Sequence, residues 1–191
     1  MSTNQGSECA QTMTQKDFNY QPFLSGRSLR LEPLTKGHFD EMLDAASDPK
    51  IWEGHPSTDR FKREVFEPYF ATLLATGKAL AVIDIQQQKV IGGSSYYSPP
   101  DQCDSIAIGF TFLVREHWGG GSNRELKRLM VEHAFTLYDR VFFHIAPTNI
   151  RSQKATMKLG AEHLYDAELN LSNAPKLWKC YALTRARWQN P

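Results

Sequence analysis

The sequence predicts a single domain of the α+β (mixed α/β) class, with a mostly antiparallel sheet, one parallel strand pair and helices on its faces. Three observations lead there. Residues 78–85 and 89–96 are strand-like runs joined by a glutamine-rich turn, which makes an antiparallel hairpin. Residues 106–146 read strand, glycine turn, helix, strand, a connection expected to be a right-handed crossover between neighbouring parallel strands. Residues 161–167 and 176–183 are two further runs that close the sheet. Neither an internal repeat nor a second domain is visible.

The elements follow in order. Arg27–Leu34 alternates, Leu29 and Leu31 against Arg30 and Glu32, as a half-buried strand does. Thr35 is placed to cap a helix whose Phe39, Met42, Leu43 and Ala46 share one face. Asp48-Pro49 opens a short helical turn with proline at its first position. Asp59 opens a longer helix, with Phe61, Val65, Tyr69 and Leu73 spaced four apart and a stop before Gly77. The hairpin comes next, ended by Pro99-Pro100-Asp101. Ile106–Val114, apolar except Thr111, reads as a buried strand. The helix after the glycines buries Leu126, Leu129, Met130, either His133 or Ala134, and Leu137. Arg140–Ala146 is a strand of bulky apolar residues, and Asn149–Leu159 is a short helix stopped by Gly160.

The chain has 191 residues, enough for one domain with a sizeable core. Its 22 Lys and Arg nearly cancel 21 Asp and Glu, so the charge balance points to neither a nucleic-acid nor a membrane surface. The three cysteines, Cys9, Cys103 and Cys180, show no metal-ligand spacing and no disulfide framework, which predicts a reducing, cytoplasmic setting and no metal. Residues 1–20 are rich in Ser, Thr and Gln and lack an apolar run. They read as a disordered tail rather than a signal peptide, with the folded domain over 21–191.

The stretch Ile106–Lys127 carries the chemistry. Gly119, Gly120 and Gly121 permit positive φ and place no side chain between backbone and ligand. Ser122 and Glu125 have the spacing of a capping box that starts a helix. Amides at such a helix start attract phosphate oxygens. A flexible turn before a capped helix explains the same residues. The glycines are not followed by the Lys-Ser/Thr of a nucleotide-binding P-loop, and the dinucleotide fingerprint lacks its third glycine at Arg124.

With these motifs in place the chain resembles the GCN5-related N-acetyltransferases (GNAT), in particular the RimJ/RimL type that acts on ribosomal-protein N-termini. The resemblance rests on Ile108-Gly109-Phe110-Thr111-Phe112-Leu113, on Trp118-Gly119-x-Gly121-x-Asn123-x-Glu125-x-Lys127 and on His133-Ala134-Phe135. It continues through Arg140-Val141, Asn149-x-Arg151-Ser152-Gln153-x-Ala155 and Lys158-Leu159-Gly160-Ala161, and earlier through Gly26-Arg27, Arg30–Leu34 and Asp48-Pro49-x-Ile51-Trp52. It implies a sheet splayed at the central parallel pair, with acetyl-CoA in the cleft and direct transfer to an amine. The cofactor residues it implies are Phe112, Leu113 and Val114 for pantetheine, Trp118, Gly119, Gly120, Gly121, Ser122 and Asn123 around the pyrophosphate, and Asn149 and Ser152 facing the cleft. Capping of the last helix is the rival role for Asn149 and Ser152. Trp118 and Asn123 depart from the general family turn but suit this branch. The implied partners are acetyl-CoA and an amine acceptor, without nucleic acid or membrane, a homodimer being a possible assembly.

The chemistry departs from the family most. An ammonium must lose a proton before it attacks a thioester. Many relatives carry a glutamate before the Ile-Gly of the central strand, where this chain has Ala107, and a tyrosine four before the helix-ending glycine, where it has Thr156. Asp104, His144 and Tyr97 are the substitutes the sequence offers. Positioning and backbone donors can supply much of the rate without them. A non-catalytic acyl-CoA-binding module is the competing expectation, and protein N-termini, polyamines and antibiotic amines are all open as acceptors.

Overall fold

The computed structural model describes residues 17–171 and 174–190. Its strands are β1 (Leu24–Ser25), β2 (Leu29–Pro33), β3 (Ala79–Asp84), β4 (Lys89–Tyr97), β5 (Ile106–Leu113), β6 (Arg140–Ile145), β7 (Glu162–Leu169) and β8 (Lys176–Thr184). Its helices are α1 (Phe39–Ala46), α2 (Arg63–Thr76), α3 (Ser122–Ala134), α4 (Ile150–Met157) and α5 (Arg185–Gln189). The strands form one sheet in the order β1-β2-β3-β4-β5-β6-β8-β7, antiparallel throughout except for the β5–β6 pair. The mixed, mostly antiparallel α+β fold is therefore present, and β5–α3–β6 is the parallel crossover.

Strand alternation sorts the core onto two faces. Ile106 and Ile108 of β5 and Val141, Phe143 and Ile145 of β6 meet Leu126, Leu129, Met130 and Ala134 of α3. On the opposite face Ala81, Ile83, Val90 and Phe112 meet Met42 of α1 and Phe66, Phe70 and Leu73 of α2. The short turn after Asp48 forms as expected, with the Asp48 carboxylate accepting from the Lys50 amide at 2.9 Å.

Three details differ from the sequence expectation. Helix α2 starts at Arg63, because Asp59–Lys62 is a separate turn closed by the Lys62 amide on the Asp59 carbonyl at 3.0 Å. Its buried stripe is Phe66, Phe70 and Leu73, with Tyr69 at the margin. Strands β7 and β8 pair as expected, with β8 between β6 and β7. Cys180 is a buried free thiol, whereas Cys103 is disulfide-bonded, against the reading of the cysteine spacing. The expected tail falls mainly on residues 1–16, outside the described residues. Phe18 is buried, with its ring against Tyr20, Tyr96, His133 and Tyr138.

Candidate active site

Strands β5 and β6 pair only at Ile106 with Val141 and Ala107 with Phe142, then part. The middle of β5 is consequently half-open at Gly109, Phe110 and Thr111, although strands lie on both sides. A bulge sits at the same place. Gly93 faces Phe112 and Ser95 faces Gly109, so Phe110 and Thr111 oppose the single residue Ser94. Phe110 takes φ 52°, a left-handed conformation that a bulky side chain rarely adopts. Bulges of this kind bend a strand and leave backbone groups out of the ladder, and both effects recur beside active sites.

The glycine turn lies beyond the open end of β5. Of its three glycines only Gly119 has positive φ, at 72°. A Cβ built at Gly119, Gly120 or Gly121 would meet nothing within 4 Å, so the turn faces open space. The expected capping box does not form. Helix α3 has Gly121 at its cap position and no side-chain cap. The Glu125 carboxylate instead accepts from the amides of Arg27 and Ser28 and from the Ser28 hydroxyl, groups that the β1–β2 turn presents to it. The Ser122 hydroxyl pairs with His117 Nδ1 at 2.9 Å. The first amides of α3 thus have no side-chain cap, and the helix dipole stands behind them.

The other implied cofactor residues are engaged as follows. Trp118 Nε1 donates to the Leu113 carbonyl at 2.9 Å, and Arg151 of α4 stacks 3.7 Å over the Trp118 ring. The Leu113 carbonyl is thereby engaged by the protein itself. Phe112 is buried on the α2 face and Val114 donates its amide to Ile91. Asn149 caps α4, its Oδ1 accepting from the Ser152 amide at 3.1 Å, so the capping role is real and leaves the Ser152 hydroxyl uncommitted to it.

Two of the three candidate acid–base residues come together. The Tyr97 hydroxyl and His144 Nδ1 are 2.7 Å apart, and His144 Nε2 lies 3.3 Å from Asp101 Oδ1. The Tyr165 hydroxyl donates to the other oxygen of Asp101 at 2.6 Å. The His144 side chain is 0% exposed, and burial holds its pKa below the ordinary imidazole value against the opposing pull of Asp101. Burial also raises the Tyr97 pKa, which keeps the phenol protonated. Tyr97 lies against the bulge because Gly109 has no side chain; a Cβ there would come within 2.9 Å of the Tyr97 ring. Asp104, the third candidate, is exposed in a groove with Arg140 and Thr184 and is not brought to this cluster.

Residues 28–162 match the family model of the acetyltransferase (GNAT) domain. The chain belongs to this family. A search of curated protein sequences finds no match. Solved structures share the fold. A GCN5-related N-acetyltransferase from Brucella melitensis is 21% identical, with a TM-score of 0.77, covering 88% of this chain and 81% of its own. RimJ from Mycobacterium smegmatis, in complex with CoA-disulfide, is 16% identical with a TM-score of 0.63, covering 83% and 82%. The spermidine N-acetyltransferase of Vibrio cholerae, in complex with CoA and spermine, is 17% identical with a TM-score of 0.60, covering 85% and 99%. No helix among the described residues of this GNAT protein is long and apolar enough to cross a membrane.

Several groups in this GNAT cleft had no sequence signal. Asp101 lies in a loop and reaches His144 only through the fold. Cys180 faces His144 across the β6–β8 ladder, and burial, with Asp101 nearby, raises its thiol pKa to about 12. Asp101, His144 and Cys180 place their ligating atoms within 4.8 Å of one another, the one such group among the described residues that could share an ion. Lys127 of α3 is 7% exposed, with Nζ 2.7 Å from the Thr111 hydroxyl of β5 and 5.7 Å from the Phe143 ring of β6. Its ammonium therefore faces the parted strands, and burial lowers its pKa to about 7.

Proposed function

We propose that this GNAT protein transfers the acetyl group of acetyl-CoA directly to a primary amine, on the RimJ/RimL branch of the family. The observation that carries the reading is the parting of β5 from β6 beside a glycine turn whose helix has no side-chain cap. The CoA ligands of the RimJ and spermidine N-acetyltransferase structures support the donor, and the spermine of the latter supports an amine as acceptor.

In this reading the pyrophosphate rests on the backbone from Gly119 to Asn123 beside Trp118. Pantetheine runs along β5 at Phe112, Leu113 and Val114, and Asn149 and Ser152 approach it from α4. The Tyr97–His144–Asp101 array supplies the acid–base chemistry that Ala107 and Thr156 lack. The amine gives its proton to the Tyr97 oxygen as the Tyr97 hydroxyl passes its own to His144 Nδ1, and Asp101 stabilises the imidazolium. The freed nitrogen bonds to the thioester carbon. The carbon–sulfur bond then breaks with its electron pair on sulfur, the nitrogen of the adduct releases its second proton to solvent, and the thiolate takes a proton from solvent. Charge on the thioester oxygen is met by backbone groups of the Phe110 bulge.

CoA binding and CoA release from acetyl-CoA across an amine panel test this. Ligand at a hundred times its dissociation constant should stabilise the fold by about 2.7 kcal/mol. Absence of any thermal shift overturns the donor assignment. Binding without turnover of any amine replaces the enzyme reading with a non-catalytic acyl-CoA module.

A further inference from the structure

The chain between the turn Pro49–Trp52 and α2 crosses to the far side of the cleft. Arg151 Nη2 of α4 donates to the Ile51 carbonyl at 3.0 Å, and the Thr148 hydroxyl donates to the Gly54 carbonyl at 3.0 Å. Beneath this strap lies Arg60, only 8% exposed. Its guanidinium stacks 3.8 Å from the Tyr69 ring centroid and 5.6 Å from that of Trp52. Nη1 is 3.3 Å from His55 Nε2. A carboxylate is what a buried guanidinium ordinarily takes as partner, and Arg60 has none in ion-pairing range among the described residues. Asp59, next to it in sequence, pairs outward with Lys62 at 3.5 Å.

The surroundings deepen that imbalance. His55 cannot serve as a counter-charge, and burial together with the Arg60 charge holds its pKa at about 4, so it is neutral. Lys176, at the start of β8, and Arg151 add positive charge at the same spot. The nearby acid, Glu53, is exposed and acts on Arg151. Tyr69, the ring under Arg60, places its hydroxyl 3.5 Å from the Phe110 carbonyl of the bulge. The unpaired cation is therefore one tyrosine side chain from where the amine must attack.

We propose that Arg60 binds a carboxylate of the acceptor, so that the substrate is an amine carrying a nearby carboxylate rather than a polycation. A guanidinium stacked on aromatic rings meets a carboxylate through its edge, and at Arg60 the polar neighbour of that edge is His55 Nε2, 3.3 Å from Nη1. Neutral His55, whose Nδ1 accepts from the Ser57 amide at 2.9 Å, carries its proton on Nε2 and so offers a second donor beside Arg60 without competing charge. A polyamine would meet Arg60, Arg151 and Lys176 as like charges. This inference rests on the acetyltransferase reading of the same cleft.

The test compares β-alanine and an aspartate-initiated peptide with β-alaninamide, an asparagine-initiated peptide and spermidine, in wild type and in Arg60→Met. Met keeps an apolar stem on Tyr69 and removes the charge. Wild type should favour each carboxylate amine over its amide by about tenfold to a hundredfold in kcat/KM, the range of a charge-assisted contact. Arg60→Met should erase the ratio with CoA binding unchanged, and Arg60→Lys should restore part of it. Preference for β-alanine identifies a small amino acid, and preference for the peptide identifies a protein N-terminus. Equal use of amides, preference for spermidine, or an unchanged ratio in Arg60→Met overturns the proposal while the acetyltransferase reading stands. If no amine turns over, the same pairs are read as thermal shifts on the CoA-loaded protein. A carboxylate-specific shift lost in Arg60→Met supports the site, and no difference overturns it.

Discussion

Lys127→Met should make the protein more stable, although it removes a hydrogen bond. Lys127 is buried, and its ammonium donates to the Thr111 hydroxyl at 2.7 Å. Its pKa falls from the ordinary 10.5 to about 7, and burial is the cause. At about 1.4 kcal/mol per pKa unit, burying the charged form costs up to about 5 kcal/mol. Met fills the same space without charge, and the Thr111 hydroxyl keeps the Ser94 hydroxyl at 2.6 Å, so no polar group is orphaned. After relaxation of the site, a gain of about 2–4 kcal/mol near neutral pH is expected. The sign with pH follows from proton counting. Between about pH 7 and pH 10 the unfolded chain holds the lysine proton and the folded chain does not, so wild-type stability rises by up to about 1.4 kcal/mol per unit from this group. The variant lacks that contribution. Urea unfolding of both proteins from about pH 6 to pH 10 isolates it as a difference, largest at low pH and shrinking towards pH 10. A variant less stable than wild type at pH 6, or a difference that stays constant with pH, refutes the reasoning. Lower activity with higher stability would mark the ammonium as serving the reaction.

Other consequences are as direct. Gly121→Val should leave the apo protein's melting temperature nearly unchanged, since φ at Gly121 is −77° and the added atoms meet open space, but should abolish the CoA-induced shift. Asn149→Ala should cost about 1 kcal/mol of apo stability through the lost cap, whereas Ser152→Ala should affect only cofactor affinity; equal apo losses would show that the Ser152 hydroxyl is structural. The rate should fall as pH drops through the lowered pKa of His144, because the imidazole must be neutral to accept a proton. Asp101→Asn should move that acid limb to lower pH and reduce the plateau, since Asp101 favours the imidazolium; an unmoved limb excludes the array. Ala107→Glu should destabilise by about 3 kcal/mol or more, because Ala107 is fully buried against Tyr97 and Phe142, and a native-like melting temperature would contradict the packing.

The sheet and its crossover were legible because they depend on apolar runs and glycine, which act locally. The Asp48 cap was legible for the same reason. The Ser122–Glu125 pattern misled because a capping box is a local pairing, and here a distant turn offers Glu125 two amides and a hydroxyl at once. The order of β7 and β8 was not legible, since two adjacent strand-like runs pair alike whether or not one slips between its partner and β6. The bulge left no trace either. Phe110 has no preference for positive φ, and the conformation arises from mismatch between β4 and β5, which only the paired strands possess.

The missing glutamate shows why a strand position is a poor proxy for an acid–base site. Ala107 lies fully buried in a small apolar cluster with Tyr97, Phe142 and Ala182, where an added carboxylate would be desolvated. Two residues along β6 from Phe142, His144 turns the same face towards the loop after β4, and Asp101 descends from that loop to meet it. In the proposed array the carboxylate stands on the far side of an imidazole rather than on the central strand. In the proposed reaction this arrangement would separate the group that meets the amine, Tyr97, from the carboxylate that would stabilise the resulting imidazolium, Asp101. Its demand on the sequence falls on a hydroxyl at the end of β4, an imidazole on β6 and a carboxylate in the connecting loop, which no single motif spans.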